Sequence, residues 1–420
     1  MCLLTASLGD YIFGFNLHTN FVTLLILILG LLQIPFLEFK IPKFILFLFF
    51  FIFLQTFLLN FKYINFKSSI SHFTGFFIFI FIIYSFVINN RSKIAGILKI
   101  YNFVVLITII IALLQIIVFV TTGASFLPQD IISGTANYRF EPEIFNVIPR
   151  APSLFSEPAH YATFLLPSVY ISILHLTKIS RQKNNSNFQS LFTIFGMIIT
   201  FSIVGYFYMI ICLTNIYFTR MKINRLNFKQ TIISILTISI LGLLILVSPL
   251  SNKVKSLFNQ TQNQSDYNYT SSDLTGFALV SNTLVTYKSL VSTFFLGSGF
   301  NTHSINYKSF IGDSFSDKQI LIELNKDDAG TLYLRILSEL GLPGIFIFCL
   351  FLRKYKIKKR FICKDNFLYN INSLSLIMIL CYSFREGSYL SVFFLFFLVL
   401  YYVTYIQFLN SERSIIGERI

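Results

Sequence analysis

A handful of charged side chains stand where long apolar runs give way to polar chain, and they are of types that handle phosphate and protons. Arg150, Glu157 and His160 fall in Arg-Ala-Pro-Ser-Leu-Phe-Ser-Glu-Pro-Ala-His-Tyr, Arg335 lies four residues before Glu339, and Arg385 opens Arg-Glu-Gly-Ser-Tyr. A guanidinium is a permanently charged, planar fork that matches a phosphate oxygen pair, and a carboxylate or imidazole can accept a proton from an attacking hydroxyl. Each residue also has a quieter reading. Glu157 precedes Pro158 at a helix start and would face the positive end of that helix. Arg150 would answer Glu157 or Glu143, and His160 would be a hydrogen-bonded structural histidine. Arg335 and Glu339 would pair across one helical turn, and Arg385 would answer Glu386 or lipid phosphate.

These residues must be held by membrane helices. The 420-residue chain is 55% hydrophobic, contains 52 Phe and only 12% charged side chains, and its mean hydropathy is +0.71. That is too apolar for a water-soluble surface or a disordered chain. The net charge of +15 sits mostly in short clusters between apolar runs, which marks membrane orientation and not a nucleic-acid face. Cys2, Cys212, Cys349, Cys363 and Cys381 show no metal-ligand or disulfide spacing. The first residues lack a basic segment and a small-residue cleavage site, so no cleavable signal peptide is expected.

Runs long enough to cross the hydrocarbon layer occur at Phe21–Leu37, Pro42–Leu59, Phe73–Ile88, Phe103–Val120, Pro158–Leu176, Thr231–Leu250, Leu332–Leu352, Phe367–Phe384 and Tyr389–Phe408. Leu191–Phe218 is basic on both flanks and reads as a tight pair of short helices, or a re-entrant hairpin, turning near Phe201–Ser202. The expected fold is all-α: a polytopic transmembrane helix bundle of 11–12 spans with two extended external loops, the twelfth span depending on residues 1–20. Helices of residues 1–120 precede a first external loop at 121–157, central helices at 158–250, a large external loop at 251–331 and a last set at 332–420. Alternating the loops places 21 Lys/Arg inside against Glu38, Asp365, Glu412 and Glu418, and leaves 12 basic and 14 acidic residues elsewhere. That asymmetry is the positive-inside bias. In the large loop Phe277, Val280, Leu284, Tyr287, Val291 and Phe294 form one apolar stripe, expected on the membrane surface or against the bundle, and Gly297-Ser298-Gly299 ends it.

No Walker-type phosphate loop, paired Cys or His spacing or Gly-x-Ser-x-Gly elbow occurs, so ATP-driven transport, metal hydrolysis and serine esterase chemistry lose their usual signatures. Arginines from three loops, gathered on one side of the membrane, would instead make a receptacle for a pyrophosphate.

The stretches Arg150–Tyr161, Tyr287–Phe300 (Tyr-Lys-Ser-Leu through Leu-Gly-Ser-Gly-Phe), Leu332–Gly344 (Leu-Tyr-Leu-Arg-Ile-Leu-Ser-Glu-Leu-Gly-Leu-Pro-Gly) and Phe384–Tyr389 resemble bacterial polysaccharide polymerases of the O-antigen and capsule type, within the O-antigen polymerase/ligase group. The resemblance implies transfer of a growing glycan from undecaprenyl pyrophosphate to an incoming lipid-linked repeat unit, at the outer face of the cytoplasmic membrane. It implies Arg150, Arg335, Arg385 and Arg139 as pyrophosphate ligands and Glu157 and His160 as candidates for the general base. No cofactor or metal is expected; the partners implied are the lipid-linked oligosaccharide, membrane lipid, a flippase and a chain-length regulator. Members of the ligase branch carry His-Asn where this chain has Gly330-Thr331, which lowers that alternative. A lipid-linked oligosaccharide flippase is the rival from another class, yet internal repeats and charges deep in the spans, usual in transporters, are lacking apart from Arg335 and Glu339.

Overall fold

The computed structural model describes residues 42–59, 66–123, 142–144, 148–155, 157–177, 186–221, 274–311, 326–327, 329–358 and 366–417, together with Ile28, Leu31 and Leu32. The predicted spans Phe21–Leu37, apart from those three residues, and Thr231–Leu250 lie outside them, as does Arg139. The described chain is an all-α membrane bundle whose only regular strand pairing is a short β1–β2 ladder. Its elements are α1 (Lys43–Phe53, continued by a π-turn over Leu54–Leu59), α2 (Phe66–Asn89), α3 (Ile94–Thr122), β1 (Pro142–Ile144), β2 (Ile148–Pro149), α4 (Pro158–Leu176), α5 (Asn187–Ile198), α6 (Ile203–Met221), α7 (Leu274–Ser292), α8 (His303–Ile311), α9 (Leu332–Lys354), α10 (Asn366–Arg385) and α11 (Val392–Gly417). Among the described residues six helices are long and apolar enough to cross a membrane, and α1 and α6 contribute shorter apolar segments.

The bundle has two poles. One carries Glu157, Thr331 and Arg385; the other carries Arg353, Lys354, Lys356 and Lys358. The first is called the site pole below. α10 and α11 pack as a hairpin with α2 against α11, while α4 is wrapped by α5 and α6. The α5–α6 turn falls at Thr200–Ser202, where the basic flanks placed it, with Phe201 at φ 46°. Ser190 Oγ meets His175 Nδ1 at 3.2 Å, and Gly205 abuts Ala162 so closely that a Cβ would stand 2.9 Å away. The hairpin therefore follows α4 over about 13 residues, roughly 20 Å of helix at 1.5 Å per residue, which favours a pair of crossings over a shallow re-entry.

Inside apolar surroundings every backbone group needs a partner, and α9 is where this is hardest. Gly341 takes φ 64°, ψ −161°, and Pro343 follows. Proline has no N–H to give Glu339, so the helix ladder opens beside Ser338 and Glu339. The turn after α7 closes it: Ser298 N donates to Ser338 O (3.2 Å), Gly299 N to Glu339 O (2.8 Å) and Leu342 N to Phe295 O (3.0 Å). Gln55 Nε2, on the π-turn of α1, donates to Leu296 O at 2.7 Å and to Glu339 O at 3.0 Å. The two chains cross on glycine, because a Cβ at Gly297 would lie 2.5 Å from Glu339 O and one at Gly341 would lie 2.3 Å from Phe295 O. Gly341→Ala therefore forces backbone apart at a left-handed position, and we expect a loss of about 3 kcal/mol or more. Thermal unfolding of the detergent-solubilised protein reads this directly; an unchanged transition would show that the crossing is not required.

Candidate functional site

The site is assembled around the turn between α10 and α11. Arg385 ends α10, and its Nη2 donates to Glu157 Oε2 at 2.5 Å. The next residue, Glu386, reaches back over the same helix start, with Oε1 3.2 Å from His160 Nε2. Arg385 and Glu386 thus answer residues of α4 and not each other. Glu157 occupies the residue before Pro158 in extended conformation, but its carboxylate makes no capping bond. The expected helix-cap role gives way to pairing with Arg385. All four side chains keep part of their surface open, Glu157 most of all at 48%, so an incoming ligand can compete for them.

The segment leading to Glu157 is clamped from α3. Gln115 Oε1 accepts from Ser153 N at 2.9 Å and its Nε2 donates to Ser153 O at 2.8 Å. Ser153 Oγ adds a bond to Thr108 O at 2.7 Å. The fully buried Gln115 amide satisfies a backbone N–H and C=O that would otherwise be orphaned, which fixes a turn with Ser153 at φ 56°. Arg150 leaves β2 half-buried beside this clamp, within electrostatic reach of Tyr206 on α6.

A second, deeper layer lies on the other side of the α10–α11 turn. Arg335 is 6% exposed and all three nitrogens are engaged: Nε with Glu339 Oε1 at 3.0 Å, Nη1 with Gly387 O at 3.1 Å and Nη2 with Asn301 Oδ1 at 2.9 Å. Its guanidinium also lies 4.7 Å from the Tyr389 ring centre. Glu339 is fully buried and accepts from Asn301 N at 2.7 Å and His303 N at 3.3 Å besides Arg335. The helix pairing expected of Arg335 and Glu339 is present, and it is the centre of a network joining α9, the 297–303 turn and the α10–α11 turn. Here Arg335 spends its donors on protein groups. It positions the turn that carries Arg385 and Glu386.

His303 is buried, with Nε2 2.9 Å from Asn282 Oδ1; Nδ1 meets no hydrogen-bond partner among the described residues.

The structure brings Glu157, His160, Arg335 and Arg385 to one turn and keeps Arg150 on the segment that ends at Glu157. Glu386, Asn301, His303 and Tyr389 were missed as members. Glu386 carried a signal, a carboxylate beside Arg385 in the same short turn. Asn301 and His303 carried none, since they reach the site only through the glycine crossing. Among the described residues no three His, Cys, Asp or Glu stand close enough to hold a metal ion. A cavity of about 390 Å³ opens toward the other pole, lined by residues including Asn215, Lys356, Tyr369 and Ser373; it is remote from this site. Chemically, the rim offers a guanidinium to a phosphate, and a carboxylate and a carboxylate-steadied imidazole to a hydroxyl proton. No protein-family model matches the chain, and no curated protein or solved structure matches it either.

Proposed function

We propose that this membrane protein is a polysaccharide polymerase of the O-antigen or capsule type, transferring a growing glycan from undecaprenyl pyrophosphate to an incoming lipid-linked repeat unit. The observation that supports it most is the convergence at one pole of Arg385–Glu157 and His160–Glu386, partly open, over a buried Arg335–Glu339 anchor. The positive-inside bias of the sequence supports a reading in which this pole faces outward across the cytoplasmic membrane, where no nucleotide is at hand and an activated donor must bring its own leaving group.

In the reaction the bond between the donor sugar's anomeric carbon and the pyrophosphate oxygen breaks, and a bond to the acceptor hydroxyl oxygen forms. Arg385 takes the negative charge that grows on the departing pyrophosphate, and Arg150, on the segment that ends at Glu157, is the second candidate for that task. Ligand oxygens replace Glu157 on the Arg385 fork, which frees that carboxylate to accept the acceptor's proton; His160, held by Glu386, is the alternative acceptor. The released lipid pyrophosphate leaves along the bilayer.

A deletion strain tests the reading. Loss of long polymer with survival of single lipid-linked repeats supports polymerisation. Free polymer that is no longer attached to its acceptor would mean a ligase, and repeats trapped on the inner leaflet would mean a flippase.

A further inference from the structure

The C-terminal part of the apolar stripe on α7, with the turn that follows it, faces away from the protein. Tyr287, Val291, Phe294, Phe295 and Leu296 are all exposed, Phe294 by 85%, while Val280 and Leu284 are half-buried. The opposite face buries Ser281, Asn282, Thr286, Ser289 and Thr293 beside Ala278 and Val285, so toward its C-terminal end the helix turns large apolar side chains outward and small polar ones inward, unlike a helix lying on a protein core from water. The polar face has protein partners: Thr286 Oγ1 bonds Leu334 O at 3.4 Å, Ser289 Oγ bonds Ser338 O at 3.2 Å, and Phe295 O receives Leu342 N. These contacts advance in step, so α7 runs beside α9 in the same direction. From Leu332 to Leu342 is about ten residues, roughly 15 Å of helix, and α9 is one of the membrane-long helices. The tip of the loop thus reaches about half the thickness of a bilayer core of roughly 30 Å.

The backbone at the tip is prepared for a place without water. Phe294 N donates to Val291 O, Phe295 N to Leu290 O, Leu296 N to Thr293 O, Ser298 N to Ser338 O and Gly299 N to Glu339 O. Gly297 N finds Thr293 Oγ1, Phe300 N finds Thr56 Oγ1 and Asn301 N finds Glu339 Oε2. Every N–H from Phe294 to Asn301 is satisfied by protein, although Phe294, Phe295 and Leu296 project outward. A loop in water needs no such completeness, whereas irregular chain at hydrocarbon depth does. The exposed stripe also continues into Leu342 and Phe346 of α9.

We infer that the C-terminal half of α7 and the turn to α8 form a re-entrant element inserted into the site-side leaflet, with Phe294, Phe295 and Leu296 in contact with bilayer acyl chains. The chain contains no Trp, so one introduced indole reports its own surroundings. Phe294→Trp is compared in proteoliposomes with Phe346→Trp, on the apolar flank of α9, and Lys308→Trp, on the exposed side of α8. Brominated acyl chains should quench the indoles at positions 294 and 346 alike, by roughly twofold or more, while aqueous acrylamide quenches the indole at position 308 at least about fivefold better. Val291→Trp takes the place of Phe294→Trp if that variant does not fold. Acrylamide quenching of the Phe294→Trp protein as efficient as that of the Lys308→Trp protein would place the tip in water and overturn the inference. Protection from both quenchers would overturn it too, since protein and not lipid would then cover the stripe.

Discussion

Glu339→Ala should cost the protein about 3–5 kcal/mol, because it strands a guanidinium that cannot deprotonate in a site with almost no exposure. Arg335 would keep Gly387 O and Asn301 Oδ1 but lose the buried carboxylate that balances its charge. Asn301 N and His303 N would lose their acceptor at the same time. The converse change, Arg335→Met, leaves a fully buried carboxylate and should be similarly damaging. The double replacement Arg335→Met with Glu339→Leu should be less destabilised than either single one, since no uncompensated charge then remains. Chemical or thermal unfolding in detergent measures all three; a single replacement within about 0.5 kcal/mol of the parent protein would show that this pair does not anchor the site.

Arg385→Ala should separate activity from folding. The Arg385–Glu157 pair is partly solvated, with side chains 24% and 48% exposed, and pairs of that kind contribute about 0–1 kcal/mol. Protein level and unfolding temperature should stay close to those of the parent. Polymer formation should fall by about 10²–10³-fold, the usual cost of removing one group that stabilises charge in a transition state. Arg385→Lys keeps the charge but not the planar fork, and should recover only part of the loss. Length distributions of surface glycan at matched protein levels decide the matter; parental polymer from Arg385→Ala would take this residue out of the proposed chemistry.

The spans were legible because hydrocarbon thickness sets a residue count, and α2, α3, α4, α9, α10 and α11 all lie on runs read that way. The α5–α6 turn was legible from basic residues on both flanks. The partners of the site residues were not. Arg385 beside Glu386 suggests a local pair, yet the helix end aims Arg385 at Glu157 and Glu386 at His160, a choice made by how α4 and α10 dock. Arg335 and Glu339, at helical spacing, paired as the sequence implied. Their burial depends on Asn301, Gly387 and Tyr389, which converge only after Gly297 and Gly341 let two backbones cross. The stripe on α7 was visible as a period, but a period does not say which face turns inward; the buried Ser289 answers that only through Ser338 O, a carbonyl that α9 leaves open.

The most direct test is reconstitution of the purified protein in liposomes with a lipid-pyrophosphate-linked repeat unit as its sole substrate. The account predicts a ladder of longer glycans, one lipid pyrophosphate released for each new linkage, and no ladder from folded Arg385→Ala. Folded parent protein that leaves the repeat units unextended, or an Arg385→Ala protein that extends them equally well, would contradict it.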